Sequence, residues 1–328
     1  MELQLPFDIK QIFSISSDDQ FEEMALAIFK FQYQNNKVYK KYCDLSQRNL
    51  EDIKCLADIP FMPISFFKTQ DVVCGEDKGE VEFHSSGTTG TTRSKHFVVD
   101  PTLYEISFIK AFEIFYGHLE DYLILGLLPS YMENKHSSLI YMIDYLITAS
   151  KNENSGFFLN DYEKLVQIIE ANQDEKKVIL FGVSFALIDL AEKYKVDLSN
   201  CIIMETGGMK GRRKEMTKEE MHAQLCDALN TEVIHSEYGM TELLSQAYSR
   251  GHGLFTTPPW MKILIREYND PFSYTNKKSG GINVIDLANI FSCSFIETED
   301  LGRMKNDQFE ILGRFDTADI RGCNLLIQ

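Results

Sequence analysis

Residues 83–96 read FHSSGTTGTTRSKH, and these residue types pose the first chemical question. Ser85, Ser86, Gly87, Thr88, Thr89 and Gly90 come just after the run Val81-Glu82-Phe83, with His84 between. A strand that runs into such a loop offers several backbone N–H groups and hydroxyls at once, which is what a phosphate cradle needs. The spacing is not that of the Walker loop, GxxxxGK[ST], nor of GxGxxG. Lys95, with Arg93 beside it, could set positive charge against the phosphates. On composition alone the segment also fits a polar surface loop. A second stretch, Tyr238-Gly239-Met240-Thr241-Glu242, follows an apolar run ending at His235. Tyr238 could stack on a purine face and Thr241 could bond a phosphate oxygen. Glu242 could hold Mg²⁺, an ion that prefers hard oxygen ligands. Taken together, the two stretches make a nucleotide-site candidate.

Elements must position these groups. The spacing of Met24, Ala27, Ile28 and Phe31 predicts a helix over 21–42. Ile59-Pro60-Phe61-Met62-Pro63 reads as extended chain, because a residue before proline avoids the helical region. Asp100-Pro101 reads as an N-cap followed by the first helical position. The apolar runs at 122–128, 178–183, 201–204 and 231–235 read as buried strands. Helices are expected at 161–170, from Ser184 as N-cap through Tyr194, and at 217–229. Continuous apolar strands separated by helices predict an α/β fold with a largely parallel sheet covered on both faces. Ligands of such sheets sit beyond the carboxyl ends of the strands. After Trp260 the pattern changes to short alternating strands, at 262–267, 281–287 and 309–312. We therefore expect an α/β core over 1–255 and a β-rich subdomain with a tail over 256–328.

Composition narrows the classes. The chain has 328 residues, 44% hydrophobic, with a net charge of −16. Non-specific nucleic-acid binding needs basic groups to neutralise phosphates, so no nucleic-acid partner is expected. No apolar run reaches the ~18 residues of a membrane span. The start of the chain lacks the basic and apolar regions of a secretory signal. The seven cysteines form no CxxC pair. These features lead us to expect a soluble protein of a reducing, cytoplasmic compartment, with thiols that are free rather than bridged.

Four motifs occur in the order shown by the acyl-adenylate-forming superfamily. Ser85 to Gly90 resembles its phosphate loop, and Tyr238 to Glu242 resembles its adenine and phosphate motif. Asp300, in Glu297-Thr298-Glu299-Asp300-Leu301-Gly302, resembles the acid that bonds the ribose hydroxyls. Gly313-Arg314-Phe315-Asp316 resembles the arginine motif at the hinge between its large and small domains. Three further stretches resemble one branch, the acyl-protein synthetases of the bioluminescence fatty-acid reductase type. They are Pro129 to Asn134, Gly207-Gly208-Met209-Lys210-Gly211-Arg212-Arg213, and residues 237–248.

The resemblance implies the superfamily's large N-terminal domain, and a sequence that stops before its C-terminal small domain and that domain's lysine. It implies ATP and Mg²⁺ as cofactors, a fatty or other carboxylic acid as substrate, and an acyl-AMP intermediate. It also implies transfer of the acyl group to a cysteine of the chain and on to a partner, a reductase or carrier protein. Cys323 is the candidate acceptor, since these synthetases carry that cysteine near the C-terminal end. Lys95 or Lys210 would supply the missing cation, and Thr88 and Thr89 would hold the β- and γ-phosphates. Thr241 would bond the α-phosphate, and Gly207, Gly208, Tyr238 and Gly239 would line the nucleotide. Asp300 and Arg314 would meet the ribose side, Glu242 would hold Mg²⁺, and His235 would position the carboxylate. Two alternatives stay open: a coenzyme A ligase or carrier-protein loader, and a catalytically idle nucleotide- or acyl-binding subunit of a reductase complex.

Overall fold

The structure is a computed structural model that describes residues 3–47, 50–86, 92–129, 132–207, 217–275 and 279–315. The chain divides into two units, one of residues 1–82, 87–101 and 257–328, the other of residues 83–86 and 102–256.

In the second unit the apolar runs are parallel strands. Tyr122–Leu127 pairs with Gly156–Phe157 on one side and Lys177–Val183 on the other. Cys201–Thr206 and His235–Tyr238 follow in parallel. Alternate residues of a strand face opposite ways. Leu123, Leu125 and Leu127 accordingly join Leu180 and Ile203 in a core with the helix residues Leu165, Leu187 and Leu225. The Tyr122 ring instead meets Phe112, on the helix Pro101–Tyr116, edge-on at 5.4 Å. Both faces are thus covered, as a buried parallel sheet requires. The antiparallel strands Ala247–Ser249 and Leu254–Thr256 extend the sheet.

Two helix starts in this unit follow side-chain capping. Asp161 accepts from the Lys164 amide at 3.1 Å to open Tyr162–Asn172. Thr217 and Glu220 exchange bonds in a capping box that opens Lys218–Leu229. Two details differ from expectation. Ser184 does not cap the helix Ser184–Lys193; it is the first helical residue, and its hydroxyl donates to Glu205 at 2.8 Å. The strand expected at 231–235 runs His235–Tyr238, so His235 opens it instead of closing it.

The first unit carries an antiparallel meander of Met261–Arg266, Gly280–Asp286, Phe295–Lys305 and Gln308–Arg314. The short strand Met62–Pro63 pairs parallel with Ile296 and Glu297. Phe29, Tyr39, Phe61 and Phe295 pack ring against ring, with centroids 6.1–6.3 Å apart. Within this core the Tyr39 hydroxyl donates to the Pro60 carbonyl at 2.7 Å. The single helix expected over 21–42 is two helices, Asp18–Asn35 and Lys37–Leu45. Asn36 breaks it. Its side-chain oxygen accepts from the Val38 and Tyr39 amides, at 3.0 and 2.9 Å, and its amide donates to the buried Ser292 carbonyl at 3.0 Å. A cap bonded to the core outweighs helical continuity.

Candidate functional site

In the second unit, polar groups gather at the carboxyl ends of two neighbouring parallel strands. Register sets Glu205 opposite Ser236 and Thr206 opposite Glu237. Glu205 is 2% exposed and accepts from Ser184 at 2.8 Å and from Ser236 at 3.1 Å. Lys218, in the first turn of its helix, reaches the same carboxylate at 2.9 Å. His222 Nε2 lies 3.8 Å away, too far for a hydrogen bond. Burial works against the Glu205 charge, but attraction to His222 and Lys218, with the Ser184 bond, holds its carboxyl below the usual range.

Glu237 behaves in the opposite way. Burial, reinforced by the charge on Glu205, pushes its carboxyl up to about 7 against the pull of the Thr206 hydroxyl, which donates to it at 2.6 Å. Two adjacent carboxyls are thereby driven apart, one ionised and one poised near neutrality, an arrangement suited to acid–base work. Gly239 follows immediately. A Cβ there would meet Glu237 Oε1, so a larger residue would push that carboxyl tip aside.

The sequence-derived candidates of this unit are placed as follows. Gly207 follows the Cys201–Thr206 strand, and its carbonyl accepts from Ser184 at 3.2 Å. Tyr238 is buried and packs against Phe255, ring centroids 5.9 Å apart. Thr241 is half-buried and Glu242 is buried. His235 sits at the opposite end of its strand from Tyr238, with Nδ1 3.1 Å from the Tyr116 hydroxyl. Burial, with the Arg250 charge nearby, lowers the His235 ring to about 4, so it is neutral at physiological pH. Ser85 and Ser86 come directly after the strand Val81–His84, the first half-buried and the second exposed. The His84 ring stacks on His136 at 4.5 Å.

Sequence reasoning passed over Glu205, Lys218 and His136. A glutamate closing the apolar strand CIIMET was the available signal for the first, because a charge at that position is buried and must be paired.

In the first unit, Asp300 and Arg314 are cross-strand partners. Arg314 Nε stands 3.3 Å from Asp300 Oδ1, and its terminal nitrogen lies 3.2 Å from Glu299. Asp300 is 8% exposed, whereas the Arg314 side chain is 70% exposed. Lys95 opens the strand Lys95–Val98 and is exposed. Gly87, Thr88, Thr89, Gly90, Gly208, Lys210 and Cys323 lie outside the described residues.

Four of the described cysteines make poor acyl acceptors. Cys43, Cys74, Cys201 and Cys293 are buried. Burial raises all four thiols, Cys43 and Cys201 to about 12. Among the described residues no cluster of histidine, cysteine or acidic groups could by itself hold a metal ion, and no helix is long and apolar enough to cross a membrane.

Comparison with known proteins follows the same lines. The family model of acyl-protein synthetase LuxE matches residues 7–99. No curated protein matches by sequence. Among solved structures, ATP-bound MatB from Rhodopseudomonas palustris aligns with a TM-score of 0.53 and 17% identity over 71% of this chain. This chain spans 47% of that protein's length. 2-Hydroxyisobutyryl-CoA ligase, in an open conformation with 2-HIB-AMP and CoA, aligns at 0.66 and 12% identity, covering 92% of this chain and 75% of its own. The same ligase in its thioesterification state aligns at 0.67 and 14% identity, covering 92% and 68%. Residues 7–99 are thus similar to the acyl-protein synthetase family, and the chain shares the fold of these two ligases.

Proposed function

We propose that the chain activates a carboxylic acid, a fatty acid in the closest reading, as acyl-AMP and passes the acyl group to a thiol. The match of residues 7–99 to the acyl-protein synthetase model, in a chain with the ligase fold, carries this reading. In the first step a carboxylate oxygen attacks the α-phosphorus of ATP, and the bond to the bridging oxygen breaks as pyrophosphate leaves. In the second, a thiolate attacks the acyl carbonyl carbon, and AMP departs with the electron pair of the broken C–O bond. Charge develops on oxygens in both steps, so the protein acts chiefly by positioning and electrostatic stabilisation.

Residue roles are proposed as the resemblance assigns them. Ser85, Ser86, Gly87, Thr88, Thr89 and Gly90 hold phosphates, with Lys95 as the cation. Gly207, Gly208, Tyr238 and Gly239 line the nucleotide, and Thr241 bonds the α-phosphate. Asp300 and Arg314 serve the ribose side. His235, neutral at working pH, serves the carboxylate by hydrogen bonding rather than by charge. Glu242 offers a buried carboxylate, a hard oxygen donor of the kind Mg²⁺ takes alongside nucleotide phosphates. Bound there, Mg²⁺ would neutralise phosphate charge. The division into an adenylate-forming core over 1–255 and a β-rich subdomain over 256–328 belongs to this proposal.

Exchange of labelled pyrophosphate into ATP, measured across a panel of carboxylic acids, tests the first step. Acid-dependent exchange is the expected result; ATP binding with no exchange for any acid would overturn it in favour of an idle binding subunit. The acceptor is Cys323, handing the acyl group to a reductase or carrier protein. A second reading takes coenzyme A as acceptor, favoured by the likeness to a CoA ligase. Release of acyl-CoA without protein-bound thioester would select it.

A further inference from the structure

The strand Phe295–Lys305 is out of regular register at the point where it carries Asp300. Its neighbour Gly280–Asp286 pairs Gly281 with Leu301 and Asn283 with Glu297. One residue, Ile282, therefore faces three, Thr298, Glu299 and Asp300. Such a bulge leaves ladder groups without their regular partners, and each must be bonded in another way.

Two side chains supply those bonds. Arg266 is 6% exposed, and one terminal nitrogen donates to the Ile282 carbonyl at 3.0 Å and to Asn283 Oδ1 at 2.9 Å. The other donates to the Thr298 carbonyl at 2.8 Å. The Thr298 hydroxyl donates to the same Ile282 carbonyl at 2.7 Å and accepts from the Asp300 amide at 3.1 Å. The guanidinium lies flat against Gly281, where an added Cβ would stand 2.2 Å from Arg266 Cζ. Phe315 covers it, with the ring centroid 5.3 Å away. A buried cation whose donors go to two backbone carbonyls of a bulge and one amide oxygen is fixed in place and in turn fixes the bulge.

We propose that Arg266 and Thr298 are positioning residues for Asp300, clamping the bulge so that its carboxylate is presented to the two ribose hydroxyls of a nucleotide. The proposal rests on the reading of Asp300 given above. It accounts for a buried arginine that pairs with Glu297 only loosely, at 3.5 Å, and spends its donors on backbone.

Calorimetric titration of the full chain with ATP and with 2′,3′-dideoxy-ATP tests it. The wild type should prefer ATP by roughly tenfold or more, because two charge-assisted bonds are lost with the hydroxyls. Arg266→Lys and the milder, isosteric Thr298→Val should each shrink that preference while binding of the dideoxy nucleotide stays the same. Asp300→Ala should abolish the preference, and Asp300→Ala with Thr298→Val should be no worse than Asp300→Ala alone, as expected of residues acting through one another. A full preference retained in Thr298→Val, or losses that add in the double variant, would overturn the positioning role while leaving Asp300 in place. A wild type that binds both nucleotides equally would overturn the assignment of Asp300, and the clamp's role with it.

Discussion

Glu237 and Glu205 show how two like residues acquire different charge states from their partners. Lys218 and two serine hydroxyls serve Glu205, whereas Glu237 has the Thr206 hydroxyl and a charged neighbour. Because the folded protein holds the Glu237 proton more tightly than the unfolded chain does, it binds more protons between about pH 4.5 and 7. Stability falls as pH rises through that window, by roughly 3 kcal/mol in all. Glu237→Gln removes this contribution, so the variant should gain on the wild type between pH 5 and pH 8 in urea unfolding; an equal difference at both pH values would count against the shifted proton. The hydroxyls of the phosphate loop make a second prediction. Thr88→Val with Thr89→Val should preserve the melting temperature and cut pyrophosphate exchange at least tenfold, since each bond to a charged phosphate contributes roughly 1.5–3 kcal/mol. Wild-type exchange in that variant would remove the loop from the nucleotide site.

At the scale of elements, Asn36 links helix capping to core packing. Asn36→Ala loses both cap bonds and leaves the Ser292 carbonyl short of a donor. We expect a loss of about 2–3 kcal/mol, read as a lower urea midpoint with an unchanged slope. The break itself could not be read from residues 21–42, because the apolar spacing persists through it and the deciding partner, Ser292, is distant in sequence. The parallel strands Tyr122–Leu127, Lys177–Val183 and Cys201–Thr206 were legible because they are continuous apolar runs of the length a buried strand needs, whereas His235–Tyr238 is largely polar and begins only where the expected strand ends. The Phe295–Lys305 strand was not legible, since FIETEDLGRMK carries five charges. It is held by neighbours on both edges and by a buried arginine, none of which leaves a periodic trace. Motif residues such as Asp300 and Glu242 were legible as types in order. Glu205 and Lys218 were not, because their pairing arises only when a strand end meets a helix start.

For the whole molecule, the proposed reaction predicts a covalent state. Incubation with ATP and a labelled fatty acid should yield a hydroxylamine-sensitive label on the chain. Cys323→Ser should lose the label while acyl-AMP formation persists. A thioester that survives the substitution would move the acceptor to another cysteine. Cys55 and Cys226, both half-buried, would then come first, ahead of the four buried thiols. The net charge of −16 belongs to this scale too: it disfavours non-specific binding to nucleic acid, which needs basic groups to neutralise phosphates.

The sealed cysteines also turn the chain into its own reporter. Cys43, Cys74 and Cys293 lie in the unit built around the meander, and Cys201 lies in the unit built around the parallel sheet. A thiol held out of solvent and kept protonated resists alkylation until its surroundings open. A brief pulse of iodoacetamide at rising urea, followed by peptide mass spectrometry, should therefore mark the two sets at separate midpoints if the units unfold independently. A common midpoint would show that they melt together.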